Sequence, residues 1–551
     1  MDYMETFKIW KENVKDASLK KQLQKMEGNK NAIENAFYRD LEFGTAGLRG
    51  TIGVGTNCLN IYTIMRTTMG LCEYMKAHKL EKVAISYDSR IKSKLFAEVA
   101  SRVLNSQGIV TYLTDDCMPT PFCSYMTRYY GCGLGIMITA SHNPKVYNGY
   151  KVYSADGAQL LEDPSFEISK YVEKINPFDI KIKCLNHYKK QGLVNYIDKE
   201  IVESYLNCVK EQSLNEMQQI KVVYTPLNGT GYKLVPEILK RCGLGVDIVD
   251  IQSFPNGNFT TCPKPNPEKA EALSLAIKLA KEKNADIVLA TDPDCDRVGI
   301  AVKNDDDYVL FTGNEVGALL SDYILSNLQQ RGKLTGEETI VKSLVSTSLA
   351  DKIAENYGVK CKNVLTGFKY IGNFILGLEN QNKQRNFLFG FEESYGYLSG
   401  SYVRDKDAVF ASMLICEMAS VYKKQGKNLV EKLNELYKKY GYYKHVVNTY
   451  EFAGASGNKK MQELLASIRK NPLKNIENLQ VTGFTDYLNQ DKYDLPKANM
   501  LIFDLSNGGS LIIRPSGTEP LIKTYITVNR TPDVNAEDIK TIQNFLKNYL
   551  K

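Results

Sequence analysis

The chain has 551 residues, and at about 150 residues per domain it has room for three or four domains, each able to bury a core. Hydrophobic residues at 43%, aromatic residues at 10% and charged residues at 24% match folded globular proteins, which excludes a disordered or fibrous chain. The net charge of +7 arises from 70 basic residues dispersed among 63 acidic ones, and without a basic block nucleic acid is not an expected partner.

No run reaches the roughly 18 consecutive apolar residues of a membrane span, and Met1-Asp2-Tyr3-Met4-Glu5 lacks the basic flank and apolar segment of a secretion signal. Twelve cysteines without a C-x-x-C pair, and only four histidines (His78, His142, His187, His445), give no zinc-ligand spacing. Thiols such as Cys72 and Cys416, scattered inside apolar patterns, fit a reducing compartment. A cytoplasmic protein with no membrane partner is expected.

In chain order, the first forty residues are charged and helical in pattern, and Gly44-Thr45-Ala46-Gly47-Leu48-Arg49-Gly50 breaks them. Val83 to Tyr87 and Gly135 to Thr139 read as buried strands, with a helix over Lys94–Asn105 between them. The rhythm returns with a strand at Lys221–Tyr224, a helix over Gly231–Arg241 and a strand at Val246–Val249. A helix over Glu268–Lys283 follows, then a short buried strand at Asp286–Ala290. A third block opens near Gly313, passes a strand at Glu338–Lys342 and closes with one long helix-like run from Asp407 to Tyr440. Ser456 to Lys497 reads as a polar connection, after which Met500–Asp504 and Ser510–Ile513 alternate as strands. Strand and helix alternating through three blocks, followed by a smaller region of another kind, predict three α/β domains and a C-terminal α+β domain.

Four loops carry chemistry. Thr139-Ala140-Ser141-His142-Asn143-Pro144 presents Ser141 at the carboxyl end of a buried strand, where ligands of open α/β sheets bind. The hexapeptide also suits a capped turn before Pro144. A Ser-His-Asp hydrolase is the weaker reading, since no G-x-S-x-G elbow is present and His142, the adjacent residue, is badly placed as the base. A serine in a phosphate-handling site can instead carry a phosphoryl group. In Thr291-Asp292-Pro293-Asp294-Cys295-Asp296-Arg297 three carboxylates stand at alternate positions and can converge on one hard cation, for which magnesium fits best. An EF-hand is excluded because its glycine and distal glutamate are missing, and Arg297 beside the acids favours a phosphate partner.

The third loop, Gly390 to Tyr397, combines Glu392, Glu393 and Ser394 with flexible glycines, groups suited to sugar hydroxyls that both donate and accept. The fourth, Arg514-Pro515-Ser516-Gly517-Thr518-Glu519-Pro520, offers a guanidinium, two hydroxyls and relaxed backbone N–H groups, an anion nest. Each of the last two is also compatible with an ordinary turn.

Together and in this order, the four loops resemble the motifs of the α-D-phosphohexomutase superfamily: its phosphoserine, metal, sugar and phosphate loops. The resemblance spans essentially the whole chain. Phe43 to Gly50, Lys145 to Lys151 and Gly390 to Tyr397 are most similar to the branch containing phosphoglucomutase-2, phosphopentomutase and glucose-1,6-bisphosphate synthase. The resemblance implies three α/β domains with mixed sheets and a smaller C-terminal α+β domain around a central active-site cleft. The boundaries are expected at 1–205 with the phosphoserine loop, 206–311 with the metal loop, 312–445 with the sugar loop and 446–551 with the phosphate loop.

The implied activity is an intramolecular phosphotransferase, a phosphoglucomutase-type isomerase of carbohydrate metabolism. It interconverts glucose 1-phosphate and glucose 6-phosphate through a phosphoserine enzyme and a bisphosphorylated sugar. Phosphopentomutase action on ribose or deoxyribose phosphate, phosphomannomutase action and glucose-1,6-bisphosphate synthesis are the alternatives within the family. A metal-dependent phosphatase and a sugar-phosphate sensor are the readings from other classes. The implied metal set is Ser141, Asp292, Asp294 and Asp296 around Mg²⁺, with a sugar 1,6-bisphosphate as activator. Lys151, Arg49 and His142 are implied beside Ser141, Lys151 as the base if its pKa falls near other cations and Arg49 as an electrostatic group. Arg297, Thr366, Gly367, Lys369, Glu392, Ser394, Arg514, Ser516, Gly517 and Thr518 are implied to bind sugar phosphate. Asp88 and Arg90 are expected to form a supporting ion pair. The partners are small sugar phosphates, and the protein is expected as a monomer or homodimer.

Overall fold

The first forty residues fold as three short helices, Tyr3–Asn13, Ala17–Met26 and Lys30–Phe37. Asp16 and Asn29 cap the second and third by accepting from the backbone N–H of Leu19 and Ala32. Trp10 closes their common core, meeting Phe37 and Tyr62 edge to face. The computed structural model describes residues 2–44, 47–217, 219–452, 455–490, 495–516 and 521–550. The chain forms two compact bodies, one of residues 1–312, 368–390 and 394–428 and one of residues 313–367, 391–393 and 429–551.

In the first body, β1 (Leu48–Thr51), β2 (Lys82–Tyr87), β3 (Val110–Leu113), β4 (Leu134–Ile138), β5 (Tyr147–Ser154) and β6 (Val194–Tyr196) form a sheet in the order β1-β5-β4-β2-β3-β6. β4, β2, β3 and β6 run parallel, and β5 and β1 continue antiparallel. β4 is buried along its whole length, the pattern of a strand covered on both faces by helices.

A second sheet joins β7 (Val222–Thr225), β8 (Val246–Ile248), β9 (Ile287–Thr291), β10 (Val298–Asn304) and β11 (Asp307–Leu310) in the order β11-β10-β9-β7-β8. It too is mixed: β7, β8 and β9 are parallel, β10 pairs antiparallel with β9, and β11 pairs antiparallel with β10. β4 and β9 thus end in the serine and aspartate loops, and β5 and β10 return from them.

In the second body, β12 (Thr339–Ser343) and β13 (Lys360–Val364) pair in parallel beside the helices Gly313–Gln330 and Leu349–Asn356. β14 (Phe387–Glu392), of which only Phe391 and Glu392 fall in this body, and β15 (Gly396–Ser399), which falls in the first, enter and leave the acidic loop. The C-terminal sheet is antiparallel, with β16 (Lys444–Glu451), β17 (Asn475–Ile476), β18 (Leu479–Asp486), β19 (Leu501–Leu505), β20 (Ser510–Pro515) and β21 (Leu521–Val528) in the order β16-β21-β20-β19-β18-β17. Helices Ala455–Lys470 and Pro532–Tyr549 complete this α+β unit.

Two expectations change. The run from Asp407 to Tyr440 is two helices, Ala408–Lys424 and Leu429–Tyr440, because Gly426 takes φ +76° and ends the first. The polar stretch 456–497 is no mere connection: it supplies a helix and strands β17 and β18, whose alternating polar faces disguise them. Among the described residues no helix is long and apolar enough to cross a membrane.

Candidate active site

Ser141 follows β4 by three residues and lies in left-handed backbone, φ +51°, a conformation that an L-residue keeps only where its surroundings enforce it. Those surroundings are polar and buried. Thr139 Oγ1 accepts from the Ser141 N–H at 2.8 Å and donates to Asp88 Oδ2 at 2.7 Å. Arg90 donates to the carbonyls of Ser141, Asn143, Pro144 and Tyr147, and its Nε lies 3.3 Å from Asp88. The expected Asp88–Arg90 pair is therefore present, and it gathers the carbonyls of the whole serine loop.

The hydroxyl of Ser141 donates to Asp292 Oδ2 at 2.8 Å. Asp292, Asp294 and Asp296 are fully buried, and one oxygen from each lies within 4.8 Å of the others. The turn that sets them together needs a left-handed residue at Cys295, φ +51°, where the Cys295 N–H closes on the Asp292 carbonyl at 2.9 Å. Its thiol packs close to Gly231.

Each aspartate has one side secured. Asp292 Oδ1 accepts from the N–H of Asp296 and Arg297. Asp294 Oδ2 accepts from Thr120 and Lys151, and Asp296 Oδ2 takes Lys406 at 2.8 Å. Asp294 Oδ1 and Asp296 Oδ1 are buried with no hydrogen-bond partner among the described residues. Burial and the charges of Asp294 and Asp296 drive Asp292 well above the usual carboxylate range. For Asp294, Lys151 and hydrogen bonds outweigh burial and hold it below that range. Crowded, buried carboxylates with two oxygens left without a hydrogen-bond partner among the described residues fit a hard divalent cation.

Lys151 is no surface lysine after a turn. It lies within β5, buried, 3.1 Å from Asp294 and 3.6 Å from Asp296. Burial opposes its charge, but the two aspartates prevail and hold the ammonium above its ordinary pKa, contrary to the fall expected from neighbouring cations. His142 Nδ1 lies 3.1 Å from Ser141 Oγ, and burial with Arg297 and Arg49 keeps the imidazole neutral. Arg49 stands on β1, in register with Gly149 of β5. Arg297 pairs with Glu268 at 2.7 Å, and Lys369 with Glu162 at 2.7 Å.

Sequence reasoning missed Lys406 and Thr120. Lys406 lies in Arg404-Asp405-Lys406-Asp407, which reads as a charged turn. Its ammonium reaches both Asp405 and Asp296, while Tyr153, two residues along β5 from Lys151, donates to Asp405. Nothing local in the sequence signals either contact.

In the second body, Glu392 is buried and accepts from the Gly367 N–H at 2.7 Å, where Gly367 takes φ +121°. Thr366 Oγ1 is buried with no hydrogen-bond partner among the described residues. Glu393 is held by Ser343 and Ser346. Arg514, the residue before the last of β20, hydrogen-bonds the Tyr525 hydroxyl, whose pKa burial and Glu393 raise. Ser516 closes onto the Leu521 carbonyl through its N–H at 2.8 Å. Tyr525 thus brings the Glu392–Glu393 pair and Arg514 into one electrostatic neighbourhood. Gly517 and Thr518 lie outside the described residues, and Ser394 falls in the first body.

Comparison with known proteins identifies the family. Family models described as phosphoglucomutase/phosphomannomutase, alpha/beta/alpha domains I, II and III match residues 40–178, 203–305 and 312–440. The chain belongs to the phosphoglucomutase/phosphomannomutase family. This family member is 37% identical over 512 residues to a phosphoglucomutase of Staphylococcus haemolyticus, covering 90% of this chain and 92% of the relative. It is 36% identical over 539 residues to a phosphoglucomutase of Staphylococcus aureus, covering 95% and 96%. Among solved structures it shares its fold with a phosphoglucomutase/phosphomannomutase family protein from Burkholderia thailandensis, at TM-score 0.66, 16% identity and coverage of 94% and 98%. The open form of the exocytosis-sensitive phosphoprotein parafusin, a phosphoglucomutase from Paramecium, gives TM-score 0.68 at 18% identity, covering 93% and 94%. Three α/β/α domains and a fourth, C-terminal sheet domain are the architecture of this mutase.

Proposed function

We propose that this protein is a phosphoglucomutase, interconverting glucose 1-phosphate and glucose 6-phosphate, with Ser141 as the phosphoryl carrier. The observation that carries the reading is the Ser141 hydroxyl at 2.8 Å from Asp292, within a buried aspartate cluster that has two orphaned oxygens. The relatives above, named phosphoglucomutases, support glucose as the sugar.

Asp292, Asp294 and Asp296 would hold Mg²⁺, with a phosphoserine oxygen as a further ligand. The bound cation supplies neutralisation of the charge on the transferring phosphoryl group. The remaining work belongs to side chains. The Ser141 Oγ–P bond breaks as an O–P bond to the sugar hydroxyl forms, giving a sugar bisphosphate. After it reorients, its other phosphate returns to Ser141 Oγ. Lys151 Nζ is assigned the hydroxyl proton. In each transfer the attacking hydroxyl gives up a proton and the oxygen leaving phosphorus takes one. Lys151, an ammonium at the outset, gives its proton to the leaving oxygen and recovers one from the attacking hydroxyl. Arg49, Arg297 and Lys369 face anionic oxygens, and His142 supports the serine. Glu392, Ser394, Thr366 and Gly367 grip sugar hydroxyls, and Arg514, Ser516, Gly517 and Thr518 hold the phosphate that is not transferred.

The test is a coupled assay of the purified protein with Mg²⁺, offering glucose 1-phosphate and ribose 1-phosphate in parallel, with and without a trace of glucose 1,6-bisphosphate. Faster turnover of the glucose ester, stimulated by the bisphosphate, is expected. Faster turnover of the ribose ester moves the enzyme to pentose phosphates with the same catalytic groups, and release of inorganic phosphate in place of isomer makes it a phosphatase.

A further inference from the structure

Thr120 opens the helix Thr120–Tyr129, between Pro119 and Pro121. The first backbone N–H groups of a helix have no partner inside it. Thr120 gives its own to the Asp294 carbonyl at 2.8 Å, and its hydroxyl donates to Asp294 Oδ2, also at 2.8 Å. Both residues are 0% exposed. The helix packs on β2 and β4, the strands whose ends carry Asp88 and the Ser141 loop.

A carboxylate that turns about its last torsion exchanges its two oxygens, so whichever oxygen is held decides which one is left. Asp294 Oδ2 is held by the Thr120 hydroxyl and the Lys151 ammonium, and Oδ1 is buried with no hydrogen-bond partner among the described residues. Lys151 alone discriminates poorly, because it is shared with Asp296 at 3.6 Å. The hydroxyl of Thr120 is a directional donor with a fixed backbone anchor in the same residue.

We propose that Thr120 is a positioning residue of the cation site: through Asp294 it selects the oxygen that faces the ion, and it ties the aspartate loop to the sheet that carries Ser141. This rests on the reading of the three aspartates as the cation site. Thr120→Val keeps the size and the backbone N–H and removes only the hydroxyl, while Thr120→Ser keeps the hydroxyl and removes the methyl.

The experiment is a titration of the full chain with Mn²⁺ in the absence of substrate, reading free ion by electron paramagnetic resonance. Circular dichroism checks that each variant is folded, and Thr120→Ala makes the same comparison should Thr120→Val not fold. Loss of the hydroxyl is expected to weaken Mn²⁺ binding by about 10- to 100-fold, the usual effect of a lost ligand-orienting contact, with Thr120→Ser within about threefold of the wild type. In turnover, Thr120→Val raises the Mg²⁺ concentration for half-maximal rate by a similar factor, and saturating Mg²⁺ restores most of kcat. Binding by Thr120→Val equal to wild type overturns the proposal, as does an equal loss in Thr120→Ser, which would make the methyl packing the cause. A wild-type protein that binds no Mn²⁺ overturns the cation site itself and this inference with it.

Discussion

Ser141 is held by contacts that a substitution at Oγ leaves in place: its N–H on Thr139 and its carbonyl on Arg90. Ser141→Ala should therefore fold, yet lose turnover by at least about three orders of magnitude, as when a covalent nucleophile is removed. A rate assay checks this, together with the absence of label on the protein after incubation with phosphorus-labelled glucose 1,6-bisphosphate. Lys406 is the residue whose importance no local pattern announced. Its ammonium is 2.8 Å from Asp296 and is itself almost fully buried. Lys406→Met leaves Asp296 Oδ2, among the described residues, with the more distant Lys151 at 3.6 Å and should lower activity about 10- to 100-fold, measured as kcat/KM at saturating Mg²⁺.

At the scale of the element, β5 joins the parts of the site, since it carries Lys151 and Tyr153 and pairs with both β4 and β1. A methyl on Gly149 would meet the Thr139 carbonyl at 2.4 Å and the Leu48 carbonyl at 2.8 Å, backbone atoms that cannot step aside. Gly149→Ala should cost about 1–3 kcal/mol, read as a lowered Tm, and should spoil phosphoryl uptake because Thr139 orients the Ser141 N–H. Elements with long apolar runs, such as β4 and the helix Ala408–Lys424, were legible because burial on all sides leaves a plain signature. β18 and the helix Ala455–Lys470 were not. Their exposed faces are polar, and in a single sequence such a surface strand resembles a loop.

For the whole molecule, a cation bound at the aspartates stabilises the folded chain by mass action, by about 2.7 kcal/mol at a hundredfold excess over Kd. Tm should rise on adding Mg²⁺ and fall back with chelator, and Asp292→Asn should blunt the rise. Acid stability turns in part on His445 in the C-terminal sheet. Its Nδ1 meets Thr527 at 3.0 Å, and its Nε2 is buried with no hydrogen-bond partner among the described residues. Burial, with Lys342 and Lys444, pushes the imidazole down to about 3 from 6.5. Between those values the unfolded chain binds a proton that the folded chain refuses. The contribution is therefore complete above pH 6.5 and is lost on acidification, by at most about 1.4 kcal/mol per pH unit. His445→Gln should flatten that part of the difference from wild type in denaturant melts taken across this range.

The sequence by itself marked the loops where hydroxyl, carboxylate and guanidinium groups gather. Ser141, the three aspartates, Glu392 and Arg514 each follow or end an apolar strand, and strand periodicity with loop chemistry is written locally. It also determined the class, three α/β units and a C-terminal α+β unit, because the alternation of short apolar runs and amphipathic helices is local as well. Tertiary structure alone decided which groups surround those residues and in which charge state. Lys151 meets Asp294 across 143 residues, Thr120 meets it across 174, and Lys406 comes to Asp296 from a later part of the chain. The pKa of a lysine follows from what faces it in a low-dielectric interior. For Lys151 those neighbours are carboxylates, so its ammonium is favoured where the sequence suggested the opposite.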